Sequence, residues 1–245
     1  MSHWNLEYHG KVALLTFSRL PDNLMDIKSM AELAHHLDEL GGQSDEVSVV
    51  MLTGGVDGYF IKHADLADIG RKARGEVSSD EEAAWARAMT LLEEIPQPTV
   101  AAVDGQAWGG GLETALACTL RVGSQRAHVG QPEIWNGIIP GGGGTQRLPR
   151  TIGHSRAADL ILTGRVVGAR EAHDMGIFNA VLPTGGFLLH ALTWCGGLAR
   201  HAPRALFAAK EAMVRGRDLP LGEGLAMERK LFSEVVATGW LGAED

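Results

Sequence analysis

The sequence predicts an α/β fold, because short apolar runs that suit buried strands alternate with longer segments of helical periodicity. A second observation is the order strand, strand, helix, strand over residues 6–53, which is typical of helices packed on a sheet. A third is the C-terminal part from Phe187 onward, which has helical character throughout. Together these patterns predict an α/β core followed by a helical C-terminal region.

The N-terminal half contains signals for a hairpin, two helices and a third strand. Gly10-Lys11 separates two strand-forming runs, and Asp26 can cap an amphipathic helix that Gly41-Gly42 ends. A capping box at Ser79–Glu82 predicts a further helix. The charge and glycine content of residues 71–76 predicts a mobile surface segment. The predicted elements are strands 6–9, 12–17 and 47–53, and helices 27–40 and 83–93.

The chain is organised around residues 104–113, where three successive glycines follow the buried strand 99–103 and precede a helix. Unpaired N–H groups and a partial positive charge at that helix N-terminus can hold an anion or a developing oxyanion. The carboxylate of Glu113 lies in the first helical turn. Such a carboxylate also stabilises a helix for purely structural reasons, so both interpretations stay open.

The remaining elements follow the same patterns. Residues 132–145 predict an irregular loop, because the glycines at 141–144 suit no strand or helix interior. Later segments are strands 120–122, 128–130 and 181–183, and helices 155–162, 169–175, 187–199, 203–214 and 221–237.

Composition limits the function. The 245 residues suffice for one large α/β domain, and a net charge of −8 with a pI near 5.7 argues against nucleic acid or an anionic membrane as partner. Cys118 and Cys195 lie in apolar stretches and are expected to be buried thiols in a reducing compartment. The N-terminus lacks a signal-peptide pattern and no window suits a membrane span, so we expect a cytoplasmic protein.

Several site classes are disfavoured by missing residues. The glycines at 141–144 have no Lys before Thr145, as a phosphate-binding loop of NTPases needs, and no Rossmann or serine-hydrolase motif is present. His63 and Asp65 could grip a metal, but no third ligand has a suitable spacing, so we expect no metal site. Glu133 is a second candidate carboxylate, because it follows Pro132 and precedes the glycine-rich loop. Paired with Glu113 it would suit acid/base work on a polarised carbonyl, although two solvated groups are the alternative.

Four segments in order resemble the crotonase, or enoyl-CoA hydratase/isomerase, superfamily. Residues 98–113 resemble its oxyanion-hole segment, and 131–148 its second signature. Residues 162–164 and 169–176 resemble the downstream pattern, so that the resemblance covers about residues 5–238. It implies a spiral of repeated β-β-α units over residues 1–185, and a helical trimerisation region over 186–245. A homotrimer or a dimer of trimers follows from that resemblance.

The resemblance also assigns roles. The N–H groups of Ala64 and Gly110 would form the oxyanion hole for the thioester of an acyl-CoA, which is substrate, so that no separate cofactor is implied. Glu113 and Glu133 match the two glutamates of the hydratases, which makes an enoyl-CoA hydratase the expected activity. Further substrate-binding residues are Lys62, Asp65, Leu66 and Gly141.

The alternatives are another reaction on this scaffold, namely isomerisation, thioester hydrolysis or C–C hydrolysis of a diketone, and an RNA-binding homologue. The acidic composition counts against RNA.

The sequence departs from the family pattern in three places. His63 stands where a Gly usually precedes the oxyanion alanine, so it must adopt the angles of that Gly or reshape the hole. The loop 20–25 is short and lacks its frequent basic residue, which puts coenzyme A contacts there in doubt. The sequence beyond 239 lacks the usual basic final helix. Core packing is the expected role of three tryptophans, with a place in the pocket wall as the alternative for each: Trp85, Trp135 and Trp240.

Overall fold

A computed structural model describes residues 2–238 as an α/β fold with two sheets. The strands are β1 Trp4–His9, β2 Val12–Phe17, β3 Val49–Gly54, β4 Thr99–Val103, β5 Gln106–Trp108, β6 Leu120–Ser124, β7 His128–Gly130, β8 Val166–Gly168 and β9 Ala180–Leu182. The helices are α1 Ile27–Gly41, α2 Leu66–Ala73, α3 Ser79–Glu94, α4 Gly110–Ala117, α5 Gly144–Ile152, α6 His154–Thr163, α7 Ala169–Met175, α8 Phe187–Ala199, α9 Pro203–Gly216 and α10 Leu221–Ala237. A 3-10 helix covers Pro132–Asn136.

The larger sheet has six strands in the order β1-β2-β3-β4-β6-β9. Its first two strands form the predicted antiparallel hairpin, and each later pair is parallel. The second sheet has the order β5-β7-β8, with β5 parallel and β8 antiparallel to β7. Because β4 belongs to one sheet and β5 to the other, the chain passes between sheets at Asp104-Gly105. That crossing places the predicted oxyanion segment at the junction of the two sheets.

Both faces of the larger sheet are covered, which explains why its strands are almost continuously apolar. Leu15 and Leu52 belong to the core that contains residues of α1, α3 and α4. Leu14 and Met51 point to the opposite face, where α8 covers them. The predicted C-terminal region therefore begins with a helix that packs on the sheet. By contrast, α9 and α10 pack mainly on each other, and α10 has no buried residue.

The α/β class and the order of most elements are confirmed, and three local predictions were wrong. Helix α2 extends into the segment expected to be mobile, and it was missed because none of its residues is buried. The capping box joins Ser78 to Glu81, one residue before the predicted position. Residues 132–145, expected to be an irregular loop, contain the 3-10 helix and the first two residues of α5. Helix α5 was missed because Pro149 lies inside it.

The two cysteines behave as predicted, since Cys118 and Cys195 are buried free thiols. Between residues 2 and 238 no helix is long and apolar enough to cross a membrane.

Lys210 attaches α9 to the core through two hydrogen bonds. Its ammonium group is buried and donates to the carbonyl oxygens of Ile95 at 2.6 Å and Gln97 at 2.8 Å. Burial lowers the pKa of Lys210 to about 8. The two carbonyls end the turn that leads into β4, so this lysine ties the C-terminal helices to the strand before the site.

We expect Lys210→Met to lower the free energy of unfolding by about 1–3 kcal/mol, because two buried carbonyls lose their donor. Urea unfolding at a fixed protein concentration measures the change. The matched control is Lys230→Met on α10, whose exposed side chain has only a 3.8 Å contact with Glu234. A loss of the same size in both variants would contradict a special role for Lys210.

Candidate active site

All eight predicted site residues line one cavity of about 1000 Å³. They are Lys62, Ala64, Asp65, Leu66, Gly110, Glu113, Glu133 and Gly141. The cavity lies beside the start of α4, between α2, α3 and the 3-10 helix, all of which contribute wall residues. The structure therefore brings together segments that are far apart in the sequence.

Pairing along β5 places Ala64 next to Gly110. The Phe60 N–H donates to the Gln106 carbonyl at 3.0 Å, and the Trp108 N–H donates to the Lys62 carbonyl at 3.0 Å. The segment around residue 61 thus runs beside β5 towards the start of α4. An ideal Cβ on Gly110 would lie only 3.2 Å from the Ala64 nitrogen, so glycine permits the close approach.

The orientation of the Ala64 N–H follows from its own peptide unit. The carbonyl of the His63–Ala64 peptide accepts from the Met25 N–H at 3.0 Å. Because N–H and C=O of a trans peptide point in opposite directions, the Ala64 N–H points away from Met25. It has no protein acceptor in the part of the chain that the structure describes. Gly110 is the first residue of α4, so its N–H has no acceptor within the helix either.

His63 does not need the backbone angles of a glycine. Asn23 is the one non-glycine residue with a positive φ between residues 2 and 238, so the expected conflict at His63 does not arise. Its ring Nδ1 lies 2.7 Å from the Ala64 carbonyl oxygen. That carbonyl only accepts, so Nδ1 carries the proton in this contact. This hydrogen bond from the imidazole stabilises the segment that carries the Ala64 N–H.

Glu113 is buried and held by the glycine-rich loop. Its Oε1 accepts from the N–H groups of Gly142 and Gly144, both at 2.7 Å. Burial raises the pKa of Glu113, while the Gly144 and Gly142 N–H groups and the charge of Arg147 act in the opposite direction. The family resemblance indicated Gly141 in this loop, but nothing in the sequence indicated that the N–H groups of Gly142 and Gly144 hold the carboxylate.

Glu133 lies at the start of the 3-10 helix and faces the same cavity. Burial raises the pKa of Glu133 to about 7, and the charge of Glu113 adds to the increase. With its amide nitrogen facing the carboxylate, the buried Gln131 donates to the two Glu133 oxygens at 2.8 and 3.1 Å. Gly109 has no Cβ, which would lie 2.9 Å from Glu133 Oε1. The Gln131 amide therefore holds this carboxyl group, and glycine at position 109 leaves room for it.

The other predicted residues have partners within the protein. Lys62 Nζ lies 3.2 Å from a carboxylate oxygen of Asp22. Asp65 caps α2 by accepting from the Ala67 N–H at 2.9 Å, and it accepts from Arg19 at 2.8 Å. These contacts lower the pKa of Asp65 against the opposing effect of burial, which is the largest contribution. Asp65 thus fixes the chain directly after Ala64.

The tryptophans differ from expectation. Trp135 is 59% exposed and lines the cavity, so the prediction of core packing was wrong for this residue. Trp85 packs against the core and also lines the cavity. Trp240 and the tail beyond residue 238 lie outside the described residues.

Comparison with known proteins identifies the family. Residues 7–240 match the sequence pattern of the enoyl-CoA hydratase/isomerase family. The chain belongs to this family. A 2,3-dehydroadipyl-CoA hydratase of Escherichia coli is 36% identical over 97% of this chain and 92% of its own length. A short-chain-enoyl-CoA hydratase of Clostridium acetobutylicum is 34% identical, covering 95% of this chain and 89% of that protein.

The fold agrees with this membership of the enoyl-CoA hydratase/isomerase family. The crystal structure of an enoyl-CoA hydratase from Bacillus anthracis has a TM-score of 0.89 and 32% identity, and the match covers 97% of this chain and 92% of that one. The two sheets and C-terminal helices are thus those of the crotonase fold, as the sequence predicted. Within residues 2–238, no group of three or more His, Cys, Asp or Glu side chains is arranged to hold a metal ion.

The packing around Glu113 can be tested with Gly142→Ala. The added Cβ would lie 2.7 Å from Glu113 Oε2 and 3.2 Å from Met89 Cε, while Oε1 is held by two N–H groups. We expect a loss of about 1–3 kcal/mol in unfolding free energy, measured by urea denaturation. Gly168→Ala is the control, because its Cβ would meet no atom within 4 Å. Equal stability of the two variants would show that Glu113 is not tightly held.

Proposed function

We propose that this protein is an enoyl-CoA hydratase that adds water across the double bond of a trans-2-enoyl-CoA. The observation that carries the proposal is the pair of carboxyl groups, Glu113 and Glu133, which line one cavity beside the N–H groups of Ala64 and Gly110. The relatives that bear the name hydratase support the same activity. Coenzyme A is part of the substrate, and the reaction requires no separate cofactor.

The thioester oxygen is proposed to bind between the N–H groups of Ala64 and Gly110. Addition at C3 moves negative charge onto this oxygen, where two donors and the N-terminus of α4 stabilise it. The donors are fixed by the protein before substrate arrives, so little reorganisation is needed. Loss of one such donor costs about 10²–10³ in rate in other enzymes.

The two carboxyl groups are proposed to act as base and acid. Glu113 orients a water and takes its proton as the oxygen attacks C3, while Glu133 gives a proton to C2. Hydroxide is thereby added to C3 and a proton to C2. A pKa near 7 suits a carboxyl group that must hold a proton at neutral pH. The product is the 3-hydroxyacyl-CoA.

The remaining proposed contacts surround this centre. The Gly141 N–H helps to hold the water, and the exposed side chain of Leu66 provides apolar wall. Lys62 offers a positive charge on the cavity wall for the coenzyme A part of the substrate. Asp65 contributes through the segment it fixes after Ala64.

Assembly through the C-terminal region, residues 186–245, is also part of the proposal. Exposed apolar side chains on two helices of that region support burial against further copies of the chain, as a homotrimer or a dimer of trimers. They include Leu188 and Leu189 on α8, and Phe232 and Val236 on α10. The core domain in this scheme is 1–185.

Glu113→Gln and Glu133→Gln test the catalytic roles. We expect each to reduce kcat for hydration of crotonyl-CoA by about 10²–10⁴, because an amide can neither accept nor supply the transferred proton. Binding of butanoyl-CoA, measured by calorimetry, should change by only a few fold. Loss of absorbance by the conjugated thioester follows the reaction, and chromatography identifies the product.

The control is Glu228→Gln, since this glutamate is exposed on α10 and lies outside the cavity. It should retain full activity. Unchanged hydration in both site variants would refute the mechanism. If the wild type instead forms a 3-enoyl-CoA, the activity is isomerisation. If it releases free coenzyme A, the activity is thioester hydrolysis.

The pH dependence tests the assignment of Glu133 as acid. Its protonated fraction falls as the pH rises through about 7, so kcat/KM should fall over the same range. Residual activity of Glu133→Gln should lack that decline. The free energy of unfolding is measured in parallel. Because folding raises the pKa of Glu133, the folded protein loses stability as the pH rises from 4.5 to about 7. A rise in kcat/KM through pH 7 would instead make Glu133 a base.

A further inference from the structure

Trp135 is an aromatic side chain that lines the cavity and is held by contacts around its ring. Its indole Nε1 lies 3.3 Å from the Thr163 carbonyl oxygen, to which it donates. Gly164 lies against the Nε1 edge of the indole, since an ideal Cβ there would be 2.8 Å from Trp135 Cδ1. Trp108 meets the ring edge to face, with centroids 6.2 Å apart and planes at 87°. Despite these contacts, 59% of Trp135 is exposed.

The position of this aromatic pair relative to the proposed chemistry is fixed by the chain. Trp135 follows Glu133 by two residues in the same 3-10 helix. Trp108 ends β5 and directly precedes Gly109-Gly110. Both indoles line the cavity that holds the proposed acid and the oxyanion donors. A group attached to the reacting double bond therefore lies within the same enclosure as the indoles.

The other walls around this pair are mainly apolar. Leu66 and Ile69 from α2, Trp85 from α3 and Ile139 from the loop after the 3-10 helix all line the cavity. A volume of about 1000 Å³ is at the upper end for small-molecule sites, so there is room for a bulky acyl group.

We propose that Trp135 determines specificity by selecting acyl groups with a flat aromatic ring on C3, that is, 3-aryl-2-enoyl thioesters. This inference rests on the proposed hydratase function. A ring that packs on a fixed indole gains about threefold to tenfold in affinity beyond the effect of burying its area. A flexible alkyl chain gains only the burial and also loses rotational freedom when it is ordered. The preorganised indole therefore favours rings over alkyl chains of similar size.

The test uses the dehydration direction, which the same enzyme must catalyse. The substrates are 3-hydroxy-3-phenylpropanoyl-CoA and 3-hydroxynonanoyl-CoA, whose groups on C3 have the same number of carbons, and the wild type should act on the aryl substrate with the larger kcat/KM. Trp135→Leu should lower the ratio of aryl to alkyl kcat/KM about threefold to tenfold. Trp135→Phe, which keeps a ring, should retain most of the ratio.

Ile139→Ala is the matched comparison, because Ile139 is 71% exposed in the same cavity and has no ring. This variant should lower kcat/KM for both substrates by similar factors and leave the ratio of aryl to alkyl kcat/KM unchanged. An unchanged ratio in Trp135→Leu would overturn the proposal. So would a wild type that acts on the alkyl substrate but not on the aryl one, while hydratase activity would stand.

If the wild type acts on neither substrate, hydration of crotonyl-CoA decides whether the hydratase function fails, and the aromatic site is tested by binding alone. Calorimetry then compares 3-phenylpropanoyl-CoA with nonanoyl-CoA, which has the same number of acyl carbons. Tighter binding of the aryl thioester to the wild type, reduced about threefold to tenfold in Trp135→Leu, would support the selection of rings. Equal affinities in the wild type, or no change in the variant, would overturn it.

Discussion

One backbone hydrogen bond, from the Met25 N–H to the His63 carbonyl, sets the geometry on which the site depends. It rotates the His63–Ala64 peptide so that the Ala64 N–H points away from Met25, on the side where Gly110 lies. The Asp65 N–H returns to the Met25 carbonyl at 2.7 Å, which locks the segment from both ends. The proposed oxyanion site is thus made of main chain that backbone hydrogen bonds already orient.

The two carboxyl groups of the site are kept distinct by their surroundings. Glu113 is buried and accepts two N–H bonds, which favour its charged form against the effect of burial. Glu133 has no such pair of main-chain donors, and both burial and the neighbouring charge favour its proton. The two glutamates of one cavity thus differ in their surroundings, as the proposed roles of base and acid require.

Much of the fold was predictable because its strands and core helices carry strong local patterns. The hairpin and β4 were predictable from their apolar patterns, and α1 from its apolar periodicity and its capping residue Asp26. Helix α2 was missed although Asp65 caps it, since it is short and lies next to a segment rich in charge and glycine, and α5 was missed since it contains Pro149. The residues lining the cavity were indicated by family resemblance, because spacing alone cannot show that residues 64 and 110 meet. The orientation of Trp135 depends on Thr163 and Gly164, which only the folded chain brings near.

Helix α2 forms one wall of the cavity without contributing a buried residue to the core. Its attachment is largely electrostatic, through pairs such as Arg71 with Glu81 at 2.8 Å and Lys72 with Glu82 at 3.1 Å. Substitutions at its cavity-facing positions Leu66 and Ile69 therefore change the shape of the cavity at small cost to the core. The shape of this wall is therefore largely independent of the packing that holds the two sheets together.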